Sequence, residues 1–376
     1  MTEKETLCMM ALTRVPGIGL PGLRLLLEQA GSATTIYEHR RNIRDVMPEL
    51  HPRAVEGISL MDAQMGRAEE EYRFASQSRI RCLGFYDDDY PARLRECADA
   101  PILLYFRGTA DLNGRRVVSM VGTRKITPYG RDLCARFVAD LHALSPDTLV
   151  VSGLAYGVDI HCHRAALAQG MPTVGVLAHG MDQIYPRMHR ADAVKMLEQG
   201  GLLTEFMSQT NADKKNFVQR NRIVAGMSDA TIVVESASKG GSLITAGIAG
   251  AYDRDVFAFP GRIGDAYSEG CNNLIRTNRA ELLTSAESFM QSMGWETDEA
   301  RQKQLEQGVQ QDLFPSLSTE EKVVVDALRG SEGMQMNVLT VRTGISIGSL
   351  SSLLFGLEMK GAVRTLSGGV YRLVNS

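Results

Sequence analysis

The residue types with the clearest chemical potential lie together in residues 214–222, at the end of a segment that the sequence predicts to be one long polar loop, from Phe206 to Arg222. Residues 214–222 contain four cations, an aromatic ring and two asparagine amides: Lys214, Lys215, Asn216, Phe217, Arg220, Asn221 and Arg222. Cations neutralise a phosphate backbone, an aromatic ring offers a stacking face to a base, and amides hydrogen-bond base edges. The segment therefore favours contact with a single strand of nucleic acid. The alternative is a solvated loop followed by a helix whose first turn holds Arg220 and Arg222.

Three glycine-bearing turns form a second candidate group. They contain Gly122, Thr123, Arg124 and Lys125; Ser152 and Gly153; and Gly241 and Ser242. Glycine lets the backbone approach an anion, hydroxyl groups and the first amides of a helix donate to it, and arginine adds a bidentate fork. Plain strand-to-helix turns would explain the glycines but not the adjacent Arg124 and Lys125. The spacing G-x-G-x-x-G is missing from the first turn, so a dinucleotide site is not favoured.

Asp159, His161, Cys162 and His163 could be assembled into a metal site, but their spacing argues against it. Two histidines two positions apart point to different sides of a helix, so a shared metal ion is not favoured. His163 is better explained as a structural hydrogen-bonding residue. The sequence also contains no Walker A motif, no G-x-S-x-G and no paired carboxylates. We therefore expect no catalytic residue, no metal and no cofactor.

The composition is that of a folded protein without a global pull toward nucleic acid. Hydrophobic residues make up 44% and charged residues 23% of the 376 residues, and the net charge is -3. Any nucleic-acid binding must therefore come from a local cationic groove.

Six scattered cysteines suit a reducing compartment. The first five residues are acidic where a signal peptide is basic, and no run of about 18 apolar residues occurs. We expect a cytoplasmic protein with no membrane partner.

From Arg116 onward, short β-rich runs alternate with segments of helical length. The runs are Arg116–Val121, Thr148–Ser152, Pro172–Leu177, Gly201–Glu205, Ala230–Glu235, Asp255–Phe259 and Ala280–Leu283. The intervening helices are Tyr129–Leu144, Ile160–Gln169, His189–Gln199 and Ser242–Tyr252. This alternation predicts a Rossmann-like α/β core with a mostly parallel sheet. Ligands of such sheets bind at the carboxyl ends of strands, where the three turns and Pro260–Gly264 would form one broad groove, suited to a polymer.

Four regions are predicted along the chain. Residues 1–75 form a helical module that resembles SAM or helix-hairpin-helix domains, because Gly17-Ile18-Gly19 links two helices; a tight turn without phosphate binding is the alternative. Residues 76–290 form the extended Rossmann-like domain, and the Gln-, Glu- and Ser-rich residues 291–315 form a linker. Residues 316–376 form a winged helix, from the order Ser318–Leu328, Val338–Thr343, Ile347–Met359 and a hairpin Val363–Leu373 turning at Gly368-Gly369.

Seven ordered motifs resemble the DNA-processing protein A family, also called DprA or Smf. They lie at Tyr90–Gly108, Val121–Gly130, Ser152–Leu167, Gly180–His189, Asn216–Glu235, Gly240–Ala246 and Val256–Gly261. The resemblance spans about Tyr90 to Ser285 and includes every candidate turn.

The resemblance implies a single-stranded DNA-binding protein, usually a homodimer, that protects incoming strands and loads the RecA recombinase in natural transformation. It also implies that the first turn, Gly122 to Arg124, holds phosphate and that Ser152, Gly153 and Ser242 line the same groove. Lys215, Asn216 and Phe217 would meet the strand and a base, with Arg220, Asn221 and Arg222 beside them.

Three departures from the family pattern are visible. Thr123 replaces a more usual serine and keeps the hydroxyl, whereas Val218 replaces a common proline. The winged helix has six basic against five acidic residues, so double-stranded DNA binding there is not favoured over partner binding. Two other functions stay open: a nucleotide-processing Rossmann-like enzyme, although Pro260–Asp265 breaks the expected loop pattern, and a winged-helix transcription regulator.

Overall fold

The computed structural model describes residues 1–296, 317–329, 333–360, 362–366 and 369–373. The chain divides into two compact units, residues 1–298 and 299–376. Most of the predicted linker, from residue 297, lies outside the described residues, but its first residues belong to the first unit. There the Trp295 ring packs edge-on against Phe289, with ring centroids 5.3 Å apart.

The first unit begins with helices only, as expected. They are α1 (Glu3–Leu12), α2 (Leu20–Ala30), α3 (Ala33–Glu38), α4 (Pro52–Ser59) and α5 (Met61–Gln77). Gly17 in the turn before α2 has a φ of 80°, which glycine adopts without strain. The buried face of these helices shares one core with Ile102, Leu103 and Tyr105. The boundary predicted at residues 75–76 therefore falls inside one compact unit.

The strands and helices of the α/β part follow. The strands are β1 (Arg81–Gly84), β2 (Leu103–Gly108), β3 (Val117–Val121), β4 (Leu149–Ser152), β5 (Thr173–Val176), β6 (Gly201–Thr204), β7 (Ala230–Val233), β8 (Asp255–Ala258) and β9 (Glu281–Leu282). The helices are α6 (Ala92–Arg95), α7 (Pro128–Leu144), α8 (Val158–Gln169), α9 (Arg190–Gln199), α10 (Lys214–Gly226), α11 (Gly241–Ala251), α12 (Glu269–Arg276) and α13 (Ala286–Ser292).

All the described strands of this unit form one sheet, in the order β1-β2-β6-β5-β4-β3-β7-β8-β9. The strands from β3 to β9 are the seven predicted ones, and their pairings with each other are parallel. The predicted Rossmann-like core is confirmed. Strands β1 and β2 were not predicted; they add antiparallel pairings at the β6 edge. In this order β3 is followed in the chain by β4 on one side and later by β7 on the other. This reversal marks the usual ligand position of such sheets.

The structure corrects the interpretation of residues 206–222 as one long loop. Helix α10 already begins at Lys214, with Asp213 in extended conformation at its N-cap. The apolar residues that bury this helix, Ile223, Val224 and Ala225, lie in its second half. Its first two turns carry mainly polar side chains, so the sequence there lacks the apolar period of a helix. The candidate binding segment is consequently helical from its first residue.

The second unit is the predicted winged helix. It contains α14 (Thr319–Leu328), β10 (Met334–Gln335), α15 (Met336–Thr343), α16 (Ile347–Met359), β11 (Val363–Leu366) and β12 (Val370–Leu373). Strands β11 and β12 pair in antiparallel fashion, and β10 adds a third strand beside β12. Gly369 of the predicted turn has a φ of 68°, and Gly368 lies outside the described residues.

Within the described ranges no single helix is long and apolar enough to cross a membrane. Helices α15 and α16 reach that length and composition only as a pair bent by 107°. Leu350, Leu354 and Leu357 of α16 are buried in the core of the second unit.

Candidate nucleic-acid interface

A cavity of about 620 Å³ opens at the carboxyl ends of β3, β4 and β7. Ten of the fifteen predicted site residues line it: Gly122, Thr123, Arg124, Gly153, Lys214, Phe217, Arg220, Asn221, Gly241 and Ser242. The remaining lining includes Ala155, Asp159, Tyr185, Ala237 and Thr245. The strand order thus brings three turns, distant in sequence, to one opening together with α10.

The turn after β3 is held against the turn after β7 by Glu235. The Thr123 amide donates to the Glu235 carbonyl oxygen (2.7 Å), and the Thr127 amide donates to its carboxylate (2.9 Å). The Thr127 hydroxyl also donates to this carboxylate. The same hydroxyl oxygen accepts a hydrogen bond from the Gly130 amide (3.2 Å) and thereby caps the N-terminus of α7. Glu235 is 3% exposed, so its carboxylate accepts hydrogen bonds from the turn and has little contact with solvent. The backbone of Gly122 and Thr123 is therefore fixed before any ligand binds.

Gly122 has no room for a side chain. A Cβ atom there would lie 2.3 Å from Val158 Cγ2 and 2.9 Å from the Glu235 carbonyl oxygen. We expect Gly122→Ala to lower the free energy of unfolding by about 1–3 kcal/mol, the usual cost of overpacking. Denaturant unfolding followed by circular dichroism measures this change.

Gly241→Ala is the matched control for stability. A Cβ at Gly241, the exposed first residue of α11, would meet nothing within 4 Å. Its free energy of unfolding should stay within about 0.5 kcal/mol of the parent value. Equal stability of the two variants would contradict the close packing of the β3 turn.

The turn after β4 is built around the buried Asp159. Its carboxylate accepts the amides of Gly153 (3.1 Å) and Ala155 (3.3 Å). The Arg220 guanidinium lies directly over Gly153, where a Cβ would be 2.1 Å from Nη1. Glycine at this position therefore lets a cation from α10 lie against the backbone of the turn.

The opposite charges of Arg220 and Asp159 stabilise each other at the buried end of the cavity. Burial raises the pKa of Asp159, and the nearby Arg220 opposes that shift. Burial likewise lowers the pKa of Arg220 to about 10, and Asp159 opposes it. The Arg220 guanidinium also donates to the Val176 carbonyl oxygen. Arg220 is 3% exposed, so it forms the floor of the cavity and fixes the relation of α10 to the β4 turn.

One face of α10 carries the cavity-lining side chains. Lys214, Phe217, Val218 and Asn221 line the cavity at the spacing i, i+3, i+4 and i+7, which places them on one side of a helix. The Arg124 guanidinium lies over the Phe217 ring, 4.8 Å from its centroid. This contact joins the β3 turn to α10 through a cation and an aromatic face.

The other predicted residues take different positions. Lys125 and Lys215 are exposed, and the Asn216 side chain donates to the Asn211 carbonyl oxygen at 2.9 Å. Ser152 is buried and donates to the Met120 carbonyl oxygen at 2.6 Å. Arg222 pairs with Glu205 and donates to the Asp99 carbonyl oxygen at 2.6 Å. The structure thus keeps Ser152 and Arg222 inside the protein, away from the cavity lining.

The loop after β8 does not join this cavity. Pro260, Gly261 and Arg262 line a separate cavity of about 840 Å³ with Tyr129 and Tyr267. The expectation that four loops share one groove is therefore corrected to three turns and a helix.

Tyr185 was missed by the sequence analysis. It lies in the loop between β5 and α9, is 44% exposed, and its ring centroid is 5.8 Å from that of Phe217. The signal in the sequence was an aromatic residue in a loop at the carboxyl end of a parallel strand. It gives the cavity a second aromatic face.

His163, on the helix that follows the β4 turn, is a structural residue. His163 Nδ1 lies 2.7 Å from Thr173 Oγ1, as predicted for a hydrogen-bonding residue, and burial lowers the pKa of His163 to about 3. In the described part of the chain no three His, Cys, Asp or Glu side chains are grouped to hold a metal ion.

Comparison with known proteins gives family matches for both units. The model of the DNA recombination-mediator protein A family matches residues 81–294, and that of the DprA winged helix domain matches residues 311–369. A putative DNA processing protein DprA of Mycobacterium tuberculosis is 32% identical over 318 residues, covering 81% of this chain and 80% of that protein. Protein Smf of Escherichia coli is 34% identical over 292 residues, covering 76% of this chain and 75% of that protein.

Two solved structures are similar in fold and sequence. The X-ray structure of DNA processing protein A from Streptococcus pneumoniae has a TM-score of 0.64 and 30% identity, covering 76% of this chain and 96% of that one. DNA processing protein A from Helicobacter pylori has a TM-score of 0.52 and 26% identity, covering 57% of this chain and 95% of that one. The latter structure was described for its single-stranded DNA binding mode.

Proposed function

The chain belongs to the DNA recombination-mediator protein A family, and from this premise we propose that it binds single-stranded DNA in the cavity at the ends of β3, β4 and β7. The observation that carries the proposal is the stacked pair of Arg124 and Phe217 at the junction of the β3 turn and α10. A phosphate and a neighbouring base need a cation and a ring side by side. The similar protein from Helicobacter pylori, described for binding single-stranded DNA, supports this ligand.

The charges around the opening favour an anionic polymer. Within the described ranges, no carboxylate lies within ion-pairing distance of Arg124, Lys125, Lys214 or Lys215. The cavity-lining carboxylate, Asp159, is occupied by two backbone amides. Helix α11 begins at the same opening without a side-chain cap, so its first amides are available to a phosphate. A phosphate backbone bound there would have its negative charge neutralised by these cations.

A salt titration with three ligands tests this function. We expect tighter binding of oligothymidylate than of a duplex of equal length or of thymidine monophosphate. Affinity should fall with salt by about 0.7 log units per log unit for each phosphate neutralised. Fluorescence anisotropy between about 50 and 200 mM salt measures both quantities. Equal affinity for duplex, or a salt slope near zero, would contradict the proposal.

The wider role that we propose is that of a recombination mediator without catalytic activity, working as a homodimer in the cytoplasm. It would protect incoming single strands and pass them to the RecA recombinase during natural transformation. The support is family membership together with the DprA-type winged helix.

A further inference from the structure

A second cavity, of about 550 Å³, lies next to the proposed DNA site. Its charged lining consists of Arg107, Arg187, Arg190 and Asp182. Its apolar lining includes Ile184, Val194, Leu197 and Leu202. Three cations and one carboxylate around a partly apolar wall would suit a ligand that has both anionic and apolar parts.

The three arginines come from separate elements. Arg107 lies near the end of β2, opposite Leu202 of β6. Arg187 lies on a single 3₁₀ turn, Arg187–His189, and Arg190 begins α9. All three side chains are exposed. In the part of the chain that the structure describes, none of them is within ion-pairing distance of a carboxylate. Asp192, the acidic residue in the first turn of α9, is bound by Arg164 at 2.9 Å.

Unpaired like charges that converge on one cavity repel each other, so an anion there would relieve the repulsion. Arginine is also the side chain best shaped for bidentate contact with phosphate. The anion expected in this cavity is accordingly a phosphate group.

Tyr185 connects the two cavities because it lines both of them. Its ring faces Phe217, over which the Arg124 guanidinium lies, and Arg187 lines the second cavity together with Tyr185. The order of groups is thus cation, ring, ring, cation. Two consecutive nucleotides present two bases flanked by phosphates, so the two rings can face the bases while the two cations face the flanking phosphates.

We propose that the second cavity binds phosphodiester groups of the same single strand after it leaves the first cavity across Tyr185. This inference rests on the proposed single-stranded DNA function. It extends the binding site from one cavity to two and makes the three arginines the determinants of a longer site.

Length-dependent binding tests the proposal on the full chain. Oligothymidylates from about 4 to about 16 nucleotides cover the usual range of site sizes. The parent protein should bind more tightly as length increases until both cavities are filled. Arg107→Gln/Arg187→Gln/Arg190→Gln should bind the shortest oligonucleotides like the parent, yet bind the longest roughly tenfold more weakly. Its salt slope with long oligonucleotides should fall by about 0.7 for each phosphate that the variant no longer neutralises.

A matched control removes the same charge elsewhere. Arg73, Arg136 and Arg276 are exposed and line neither cavity. Arg73→Gln/Arg136→Gln/Arg276→Gln should keep the affinity of the parent for long strands. Equal losses in both triple variants would overturn the proposal, since they would show a general charge effect.

Tyr185 gives a second variant that distinguishes stacking from structure. Tyr185→Ala should lower the affinity for long strands more than Tyr185→Phe does, because the ring provides the stacking face and only the alanine variant lacks it. Parent affinity in the arginine variant at every length would overturn the second cavity and leave the first intact. Failure of the parent to prefer single strands would instead overturn the proposed function itself.

Discussion

Arg124→Ala/Lys215→Ala should bind single-stranded oligonucleotides at least about a hundredfold more weakly than the parent protein. Hydrogen bonds to charged groups contribute about 1.5–3 kcal/mol each, and every 1.4 kcal/mol is about a tenfold change in affinity. Arg124 has the larger part, because its removal also takes the cation from the Phe217 ring. Lys215 is an exposed cation in the first turn of α10. Anisotropy titrations at several salt concentrations measure the loss.

The appropriate control has the same change in net charge. Arg136→Ala/Arg276→Ala removes two exposed arginines that do not line the cavity. It should keep the parent's affinity and salt slope. If the Arg124/Lys215 variant bound like this control, the cavity would not be the DNA site, whatever the affinity of the parent.

The sheet could be predicted because its signal is local. Strands β3, β4 and β7 are short and buried along their whole length, as parallel strands covered by helices on both faces are. Strand β2 is also buried over its first four residues, but its place was not visible. It pairs with β6, which lies almost a hundred residues further along the chain. Such a pairing is decided by tertiary packing, which no local pattern encodes.

The site was predictable only in part, for a similar reason. Residue types that bind phosphate could be recognised in the turns, since glycine beside Thr123 and Arg124 is informative without a structure. The side of α10 that faces the cavity could not be predicted, because this segment was interpreted as a loop. Asn221 and Arg222 are neighbours in sequence, yet the first lines the cavity and the second pairs with Glu205 inside the protein. Their separation follows from the 100° rotation per residue of a helix.

Among the residues of α10, we expect Arg220 to have the largest effect on the stability of the fold. It comes from α10, lies against Gly153 of the β4 turn and offsets the buried Asp159. We expect Arg220→Met to lower the free energy of unfolding by about 3–5 kcal/mol near neutral pH, because removal of one partner leaves an uncompensated buried charge. Denaturant unfolding measures this loss, and single-stranded DNA binding should weaken with it, since the floor of the cavity is lost.

The pH dependence of that loss identifies its cause. Burial raises the pKa of Asp159 in the folded protein, and Arg220 opposes the shift, so its removal should raise that pKa further. Between the unfolded and folded pKa values the folded state binds more protons, and stability falls as pH rises through this interval. The deficit of Arg220→Met relative to the parent should therefore be full above the folded pKa and shrink in acid. Asp159→Asn/Arg220→Met, which lacks both charges, should recover part of the stability, and its free energy of unfolding should lack the fall with rising pH that Asp159 causes. If the loss in free energy of unfolding of Arg220→Met did not change with pH, Arg220 would stabilise the fold through packing and its hydrogen bond to Val176. It would then not offset the charge of Asp159.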